Sequence, residues 1–307
     1  MSTLDAHGSA GRPVADLAWL LIAMAGAVVV ASTVAMLVAL FRARRTDEAP
    51  ERIPVDRTRW VVVWGVVIPA IILAGTFLWG THTLAALSAS RTANALTVEV
   101  IGHRWWWEIR YPGTGVVTAN EIHIPTGRHV RLLVRSADVI HSVWVPQLGG
   151  KIDVVPGTVN RRWVEADQPG VYRGTCAEYC GAQHAHMGLL VVAEAPATFA
   201  AWVRQESRPA PAPRDSAAVH GERVFLASPC VTCHTIRGTP ARGAVGPDLT
   251  HLASRRTLAA GAIPNTKGAL GAWVVNAQGI KPGSLMPAVP LTGAELQAML
   301  AYLEQLR

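Results

Sequence analysis

The sequence predicts a multidomain chain: two membrane-spanning helices, then an all-β domain, then a small all-α domain. Three observations carry this. Two long runs near the N-terminus hold no charged residue, short Val-rich runs of alternating character follow them, and the C-terminal part opens and closes on segments of helical period.

The first apolar run, Leu17 to Phe41, rises about 1.5 Å per residue as a helix and so crosses a hydrocarbon core of roughly 30 Å. Trp60 to Gly80 is a second such run, and its Pro69 is tolerable within a membrane helix. The short loop between them carries Arg42, Arg44, Arg45, Arg52, Arg57 and Arg59, against Arg12 before the first run and Arg91 after the second. The positive-inside rule makes this loop cytoplasmic and puts both termini outside. The first run is too long for a signal peptide and follows Asp5 and Asp16 rather than a basic region, so it is expected to be retained. Residues 1–85 thus form an N-terminal segment and a hairpin that meets membrane lipid. The net charge of +7 is dispersed: residues 96–205 hold ten basic and nine acidic side chains, and no Lys/Arg run forms a phosphate-binding stripe. No nucleic-acid partner is expected.

From Leu96 to Ala195 the chain reads as strands: LTVEVI, EIHIP, HVRLLVR, RRWVEA, GVYRGTC and GLLVVAE, punctuated by Gly, Pro and Asn. Such regular spacing predicts an antiparallel sandwich or barrel over 96–205. Residues 206–216, ESRPAPAPRDS, read as an extended, semi-rigid spacer able to span about 30 Å. Residues 217–307 begin with AAVHGERVFLAS and end with TGAELQAMLAYLEQL. In the closing segment Leu296, Met299, Leu300 and Leu303 share one face, and Thr292 with Glu295 makes a capping box. The Gly- and Pro-rich middle of this small domain needs a staple.

CVTCH supplies it. C-x-x-C-H at Cys230, Cys233 and His234 is the attachment signature of a c-type haem, with two thioethers holding the porphyrin and the histidine ligating iron. A thioredoxin-like motif would need a surrounding βαβ pattern and a zinc site a second cysteine pair following within zinc-site spacing, and the sequence has neither there. Met286, pinned between Pro282 and Pro287, is the expected sixth ligand, with His251 the competitor. These residues resemble a class I cytochrome c, as do HGERVF, GPDLT, LMP and LAYL. The resemblance implies that Gly221 and Phe225 cross against Tyr302.

The stretch CAEYCGAQHAHM, residues 176 to 187, holds the other two cysteines. A disulfide is one reading outside a membrane, but it leaves His184 and Met187 unused. Thiolate, imidazole and thioether together form a soft set suited to copper, and one thiolate too many for a mononuclear blue-copper site. Two thiolates can bridge two copper ions. Each ion then takes one imidazole and one weak ligand: His184 and Met187 from the loop, His141 from the distant IHSVWVP strand, and the Glu178 carbonyl.

This set resembles the CuA domain of subunit II of haem–copper cytochrome c oxidases. The C-x-E-x-C-x3-H-x2-M spacing, HSVWVPQLGGKIDVVPG, GHRWWWE and the preceding hairpin all match. The resemblance implies an all-β cupredoxin-like sandwich with Cys176 and Cys180 as bridging thiolates, His141 and His184 as terminal imidazoles, and Met187 and the Glu178 carbonyl as axial ligands. It further implies that the Glu178 side chain helps hold a magnesium ion at the interface with the catalytic subunit, and that Trp105 receives electrons at the surface. Trp106 and Trp107 are expected in the core or an interface, Asp153 at an interface, and His186 outside the ligand set.

Ordinary subunit II ends soon after the copper domain, whereas this chain continues into a cytochrome c, as in caa3-type oxidases. The implied function is electron input to a haem–copper terminal oxidase: from haem c to CuA and on to subunit I, where oxygen reduction is coupled to proton translocation. The implied setting is the bacterial inner membrane, with subunit III as a further partner and a cytochrome bc complex or soluble cytochrome as donor. The alternatives are a membrane-anchored carrier without an oxidase and the equivalent subunit of a nitric oxide reductase. A thioredoxin-type copper chaperone would not use Met187, and a quinol oxidase subunit would not keep the ligand set.

Overall fold

A computed structural model describes residues 2–43, 57–88 and 95–307. Of the loop arginines, Arg44, Arg45 and Arg52 lie outside these residues, as does Arg91. The chain divides into two compact units, residues 12–90 and the remainder.

In the first unit, α1 runs from Arg12 to Ala43. The second helical stretch comprises α2 (Arg57–Val62), a π-helical turn (Val63–Val67) and α3 (Ile68–Ser88). The widened turn precedes Pro69, which has no N–H for the carbonyl of Gly65 four residues back. Arg12–Arg42 and Thr58–Ala85 are long and apolar enough to cross a membrane, and Val29, Val30, Phe41, Ile71 and Phe77 expose their side chains. Helices apolar all round need an apolar solvent rather than water.

The second unit opens with residues 2–11 lying on the β-domain. The His7 N–H donates to the Gln147 carbonyl at 2.8 Å, and the His7 carbonyl accepts from Asp167 N–H at 2.8 Å. The strands are β1 (Leu96–His103), β2 (Trp106–Tyr111), β3 (Val116–Ala119), β4 (Glu121–Pro125) and β5 (Val130–Ser136). They continue as β6 (His141–Trp144), β7 (Ile152–Val154), β8 (Asn160–Val164), β9 (Gly170–Cys176) and β10 (Gly188–Glu194). Two five-stranded sheets, ordered β3-β2-β1-β5-β8 and β4-β10-β9-β6-β7, enclose Trp107, Ile109, Tyr111, Ile122, Ile124, Leu189 and Val191.

The expected sandwich is present, but it is not purely antiparallel. β1 pairs with β5, and β4 with β10, in parallel. Each pair is joined through intervening strands rather than by a tight turn, so parallel pairing is available to it.

Helix α4 (Pro196–Glu206) packs Phe199 and Trp202 on Tyr111. Of the expected spacer 206–216, Glu206 closes α4 and Ser216 opens α5; residues 209–214 between them hold no regular secondary structure, and they are not a free spacer. Ala210 N–H donates to the Arg237 carbonyl and Arg214 N–H to Gln305 Oε1, both at 2.9 Å, which ties the segment to the helical domain. That domain consists of α5 (Ser216–Ala227), α6 (Cys230–Cys233), the two-residue strands β11 (Thr257–Leu258) and β12 (Ile263–Pro264), α7 (Lys267–Val275), α8 (Ala277–Ile280) and α9 (Gly293–Leu303). Asp215 caps α5 through Ala218 N–H, and Thr292 with Glu295 forms the capping box of α9. Such caps contribute about 1 kcal/mol each. α5 crosses α9 at Gly221, where any Cβ would collide with the Ala298 carbonyl, and Phe225 meets Tyr302 at a ring separation of 6.1 Å.

Candidate copper and haem sites

At one end of the sandwich, β6 opens on His141 and β9 ends on Cys176, held together by the Val143–Cys176 pairing. A chain segment 35 residues away in sequence is thereby brought to the cysteine loop. His141 is fully buried. Its Nε2 lies 2.8 Å from Asp138 Oδ1, which leaves Nδ1 turned toward Cys176 Sγ at 4.0 Å. Burial lowers the imidazole pKa, against the opposing hydrogen bond that the ring donates to Asp138. Gly102 packs on the ring face, where a Cβ would come 2.8 Å from His141 Cδ2.

The loop after β9 brings the remaining donors within reach. The two cysteine sulfurs stand 3.8 Å apart, far beyond the S–S bond length of about 2.05 Å. Cys176 Sγ lies 3.2 Å from the Glu178 carbonyl oxygen, and Cys180 Sγ lies 3.7 Å from His184 Nδ1 and 3.8 Å from Met187 Sδ. Met187 is fully buried at the start of β10. Donor atoms of His141, Cys176 and Cys180 all fall within 4.8 Å of one another. Burial, and then the neighbouring thiolate, push the Cys180 thiol up to about 12. Two ionised sulfurs so close together call for positive charge between them, and soft cations bind thiolates. The donor set therefore fits copper.

Trp105 lies against this loop. Its Nε1–H donates to the Cys180 carbonyl at 2.9 Å, and its ring passes between two glycines. A Cβ on Gly181 would lie 3.1 Å from Trp105 Cζ2, and one on Gly283 would lie 3.6 Å from Cη2. Trp107 is fully buried in the core, and Trp106 stacks on His103 at 4.4 Å. The Glu178 carboxylate accepts from Lys151 Nζ at 3.0 Å, and Asp153 lies 3.3 Å from the same ammonium. His186 is exposed and contacts Gln183, outside the donor set.

A largely apolar cavity is bordered by Cys230, Cys233, His234 and Met286 of the helical domain and also by Trp105. His234 Nδ1 lies 2.7 Å from the Pro247 carbonyl, leaving Nε2 for a ligand. A Cβ on Gly246 would strike the His234 ring at 2.6 Å, so glycine is required there for the imidazole to lie as it does. Burial lowers the His234 pKa, which keeps the ring neutral and able to ligate. Two free thiols, a neutral imidazole and a thioether around one apolar cavity fit a covalently attached haem. His251 does not border this cavity; it is buried elsewhere beside the Arg208 carbonyl.

Sequence reasoning missed Asp138, Lys281 and Glu121. An acid three residues before His141 was the only signal for the first. A single Lys and a single Glu in polar stretches carry none.

The fold and the two sites define a class: a membrane-anchored chain joining a cupredoxin-like copper domain to a haem-binding cytochrome c domain. Residues 114–194 match the family described as cytochrome c oxidase subunit II, periplasmic domain, and residues 218–307 match cytochrome c. Cytochrome c oxidase subunit 2 of Alkalihalophilus pseudofirmus is 34% identical over 100% of this chain and 91% of its own length. The same subunit of a Bacillus species is 31% identical over 87% and 80%. A crystal structure of the periplasmic domain of subunit II of cytochrome oxidase from Bradyrhizobium japonicum aligns with 38% of this chain and 96% of its own, at 31% identity and a TM-score of 0.37.

The chain belongs to the cytochrome c oxidase subunit 2 family. It is a subunit of a haem–copper oxidase with a cytochrome c domain, and the oxygen chemistry lies in the partner subunit. The subunit II domain implies a CuA centre and the cytochrome domain implies haem c.

Proposed function

We propose that this chain carries electrons from its cytochrome domain through Trp105 and the Cys180 loop toward the catalytic subunit. The observation that carries the reading is the position of Trp105, which borders the haem cavity and donates its indole hydrogen to the Cys180 carbonyl. Bound, haem c and the copper pair would each exchange single electrons, haem with His/Met ligation at a raised potential. Cys176, Cys180, His141, His184, Met187 and the Glu178 carbonyl would hold the copper. Cys230 and Cys233 would anchor the haem, with His234 and Met286 as the side chains that would ligate its iron.

The residues around these donors fix their states. Asp138 orients the His141 ring and keeps Nδ1 free of a proton, and the Pro247 carbonyl does the same for His234 Nε2. The sandwich excludes water from Met187 and His141, so little needs to rearrange when charge at the site changes. Glu178, half-exposed beside Lys151 and Asp153, would face the catalytic subunit and help hold magnesium there. The proposed domains are 1–85, 96–205 and 217–307, with 206–216 between the last two. The proposed setting is a bacterial inner membrane with both termini outside, which the contact of His7 with the β-domain supports, because it puts the segment before the first span beside the domain after the second. Subunits I and III, with coupled proton translocation in the complex, and a bc complex or soluble cytochrome as donor complete the proposal.

Trp105→Phe tests the route. It removes the indole N–H and leaves every donor atom in place. Electron transfer from haem c to copper after flash photoreduction should slow at least tenfold, with both absorption spectra unchanged. A wild-type rate would exclude Trp105 from the route.

A further inference from the structure

The cytochrome domain is joined to the copper domain by more than the segment between them. Lys281, just after α8, is 3% exposed, a rarity for a lysine that is not paired with a carboxylate. Its ammonium donates to three backbone carbonyls: Trp105 at 2.6 Å, His186 at 2.7 Å and Ala259 at 3.0 Å. Three donors meet three acceptors, so the group is fully satisfied. Two of the acceptors belong to the copper domain, one beside the Trp105 ring and one in the loop that carries His184 and Met187. The third belongs to the cytochrome domain itself. One buried ammonium thus joins three separate segments where the haem cavity meets Trp105.

The copper domain answers with a buried charge of its own. Glu121, at the start of β4, is 2% exposed, and its Oε1 accepts from the Arg256 and Thr257 amides at 2.7 and 3.1 Å. Further bonds cross the same boundary: Gly188 N–H to the Ala260 carbonyl at 2.8 Å, Gln183 Nε2 to the Pro282 carbonyl at 2.9 Å, and Arg237 Nη1 to the Gly115 carbonyl at 3.1 Å. Ala259 and Ala260, which supply two of these carbonyls, have φ of 53° and 59°, a left-handed conformation that disfavours residues with a Cβ. Backbone held in that region needs surrounding structure to enforce it, and the Lys281 and Gly188 bonds provide it.

We propose that Lys281 and Glu121 form a reciprocal buried clamp that fixes the cytochrome domain on the copper domain, with Lys281 the positioning residue that sets the haem cavity against Trp105. Burial draws the Lys281 pKa down to about 7, and the nearby Cys180 sulfur acts against that by favouring the charged form. The electrostatic design is asymmetric. Each domain inserts one charge into main-chain dipoles of the other, so neither depends on an exposed side chain that salt would screen. The clamp deepens the route proposed above and rests on the reading of Trp105 as its contact point.

The test uses the full chain in detergent, loaded with haem and copper, and compares wild type with Lys281→Met. Hydrogen–deuterium exchange of the Gly188, Arg256 and Thr257 amides reports docking directly, because each donates across the boundary. In Lys281→Met these amides should exchange at least tenfold faster, while the β9–β10 ladder beyond Gly188 and α5 and α9 keep their protection. Flash-induced transfer from haem c to copper should fall at least tenfold, with both spectra and the haem potential unchanged. Wild-type exchange in Lys281→Met would overturn the clamp, and faster exchange with wild-type transfer would overturn the positioning role. If Lys281→Met does not accumulate with both chromophores, Glu121→Ala carries the test from the other domain. Its readout is the remote Gly188 amide, whose acceleration supports the clamp and whose wild-type exchange overturns it. Failure of the route is read separately, on Trp105→Phe, whose amide exchange should match wild type.

Discussion

Gly221→Ala puts the helix crossing of the cytochrome domain to a quantitative test. A methyl group at this position would lie 1.9 Å from the Ala298 carbonyl oxygen and 2.9 Å from Tyr302 Cβ. A close C···O approach is about 3.3 Å, so α5 and α9 must part by about 1.4 Å. Backbone atoms on α9 cannot swing aside as the tip of a side chain would. A gap of that size forfeits more than a quarter of the dispersion energy of the atoms facing across it, and overpacking of this kind costs about 3 kcal/mol. Alanine returns about 1 kcal/mol through its better helix propensity, leaving a net loss of about 2 kcal/mol. For a domain of this size that lowers Tm by about 8–16 °C. Thermal unfolding of the haem-loaded chain, followed by haem absorbance with the copper bands as internal reference, measures it. A Tm within about 2 °C of wild type, or above it, would refute the close crossing.

Two further substitutions address the ligand spheres. Asp138→Asn should weaken copper binding about 10–100-fold by loosening the hold on the His141 ring, measured by competition with a chelator; unchanged affinity would leave Asp138 without a role in orienting that ring. Met286→Ala should keep the haem covalently attached but lower its midpoint potential, because thioether ligation raises it; a redox titration that superimposes on wild type would remove Met286 from the iron.

What was legible in the sequence was whatever its chemistry holds close together along the chain. Cys230, Cys233 and His234 lie on one turn, and Cys176, Glu178, Cys180, His184 and Met187 in one loop, so spacing alone exposed them. The membrane spans were legible for the same reason, as charge-free runs. His141 needed the strand pairing of β6 with β9, and its sequence cue was only a histidine beside a Val-rich run. The parallel pairs escaped because period-two alternation says which face is buried and not which way the partner runs. The Pro/Ala-rich segment reads in the sequence as a spacer without regular structure, but its hydrogen bonds to Arg237 and Gln305 depend on groups brought to it by the fold. Lys281 and Glu121 were least legible, since a buried charge satisfied by main-chain carbonyls or amides has no side-chain partner to betray it in the sequence.

The account stands on Cys176 and Cys180 holding two copper ions rather than one. Low-temperature EPR of the oxidised, copper-loaded chain measures this directly. One unpaired electron shared equally by two nuclei of spin 3/2 gives seven hyperfine lines, and that is the predicted pattern. Four lines, the pattern of a single copper nucleus, would contradict the bridging role of both cysteines.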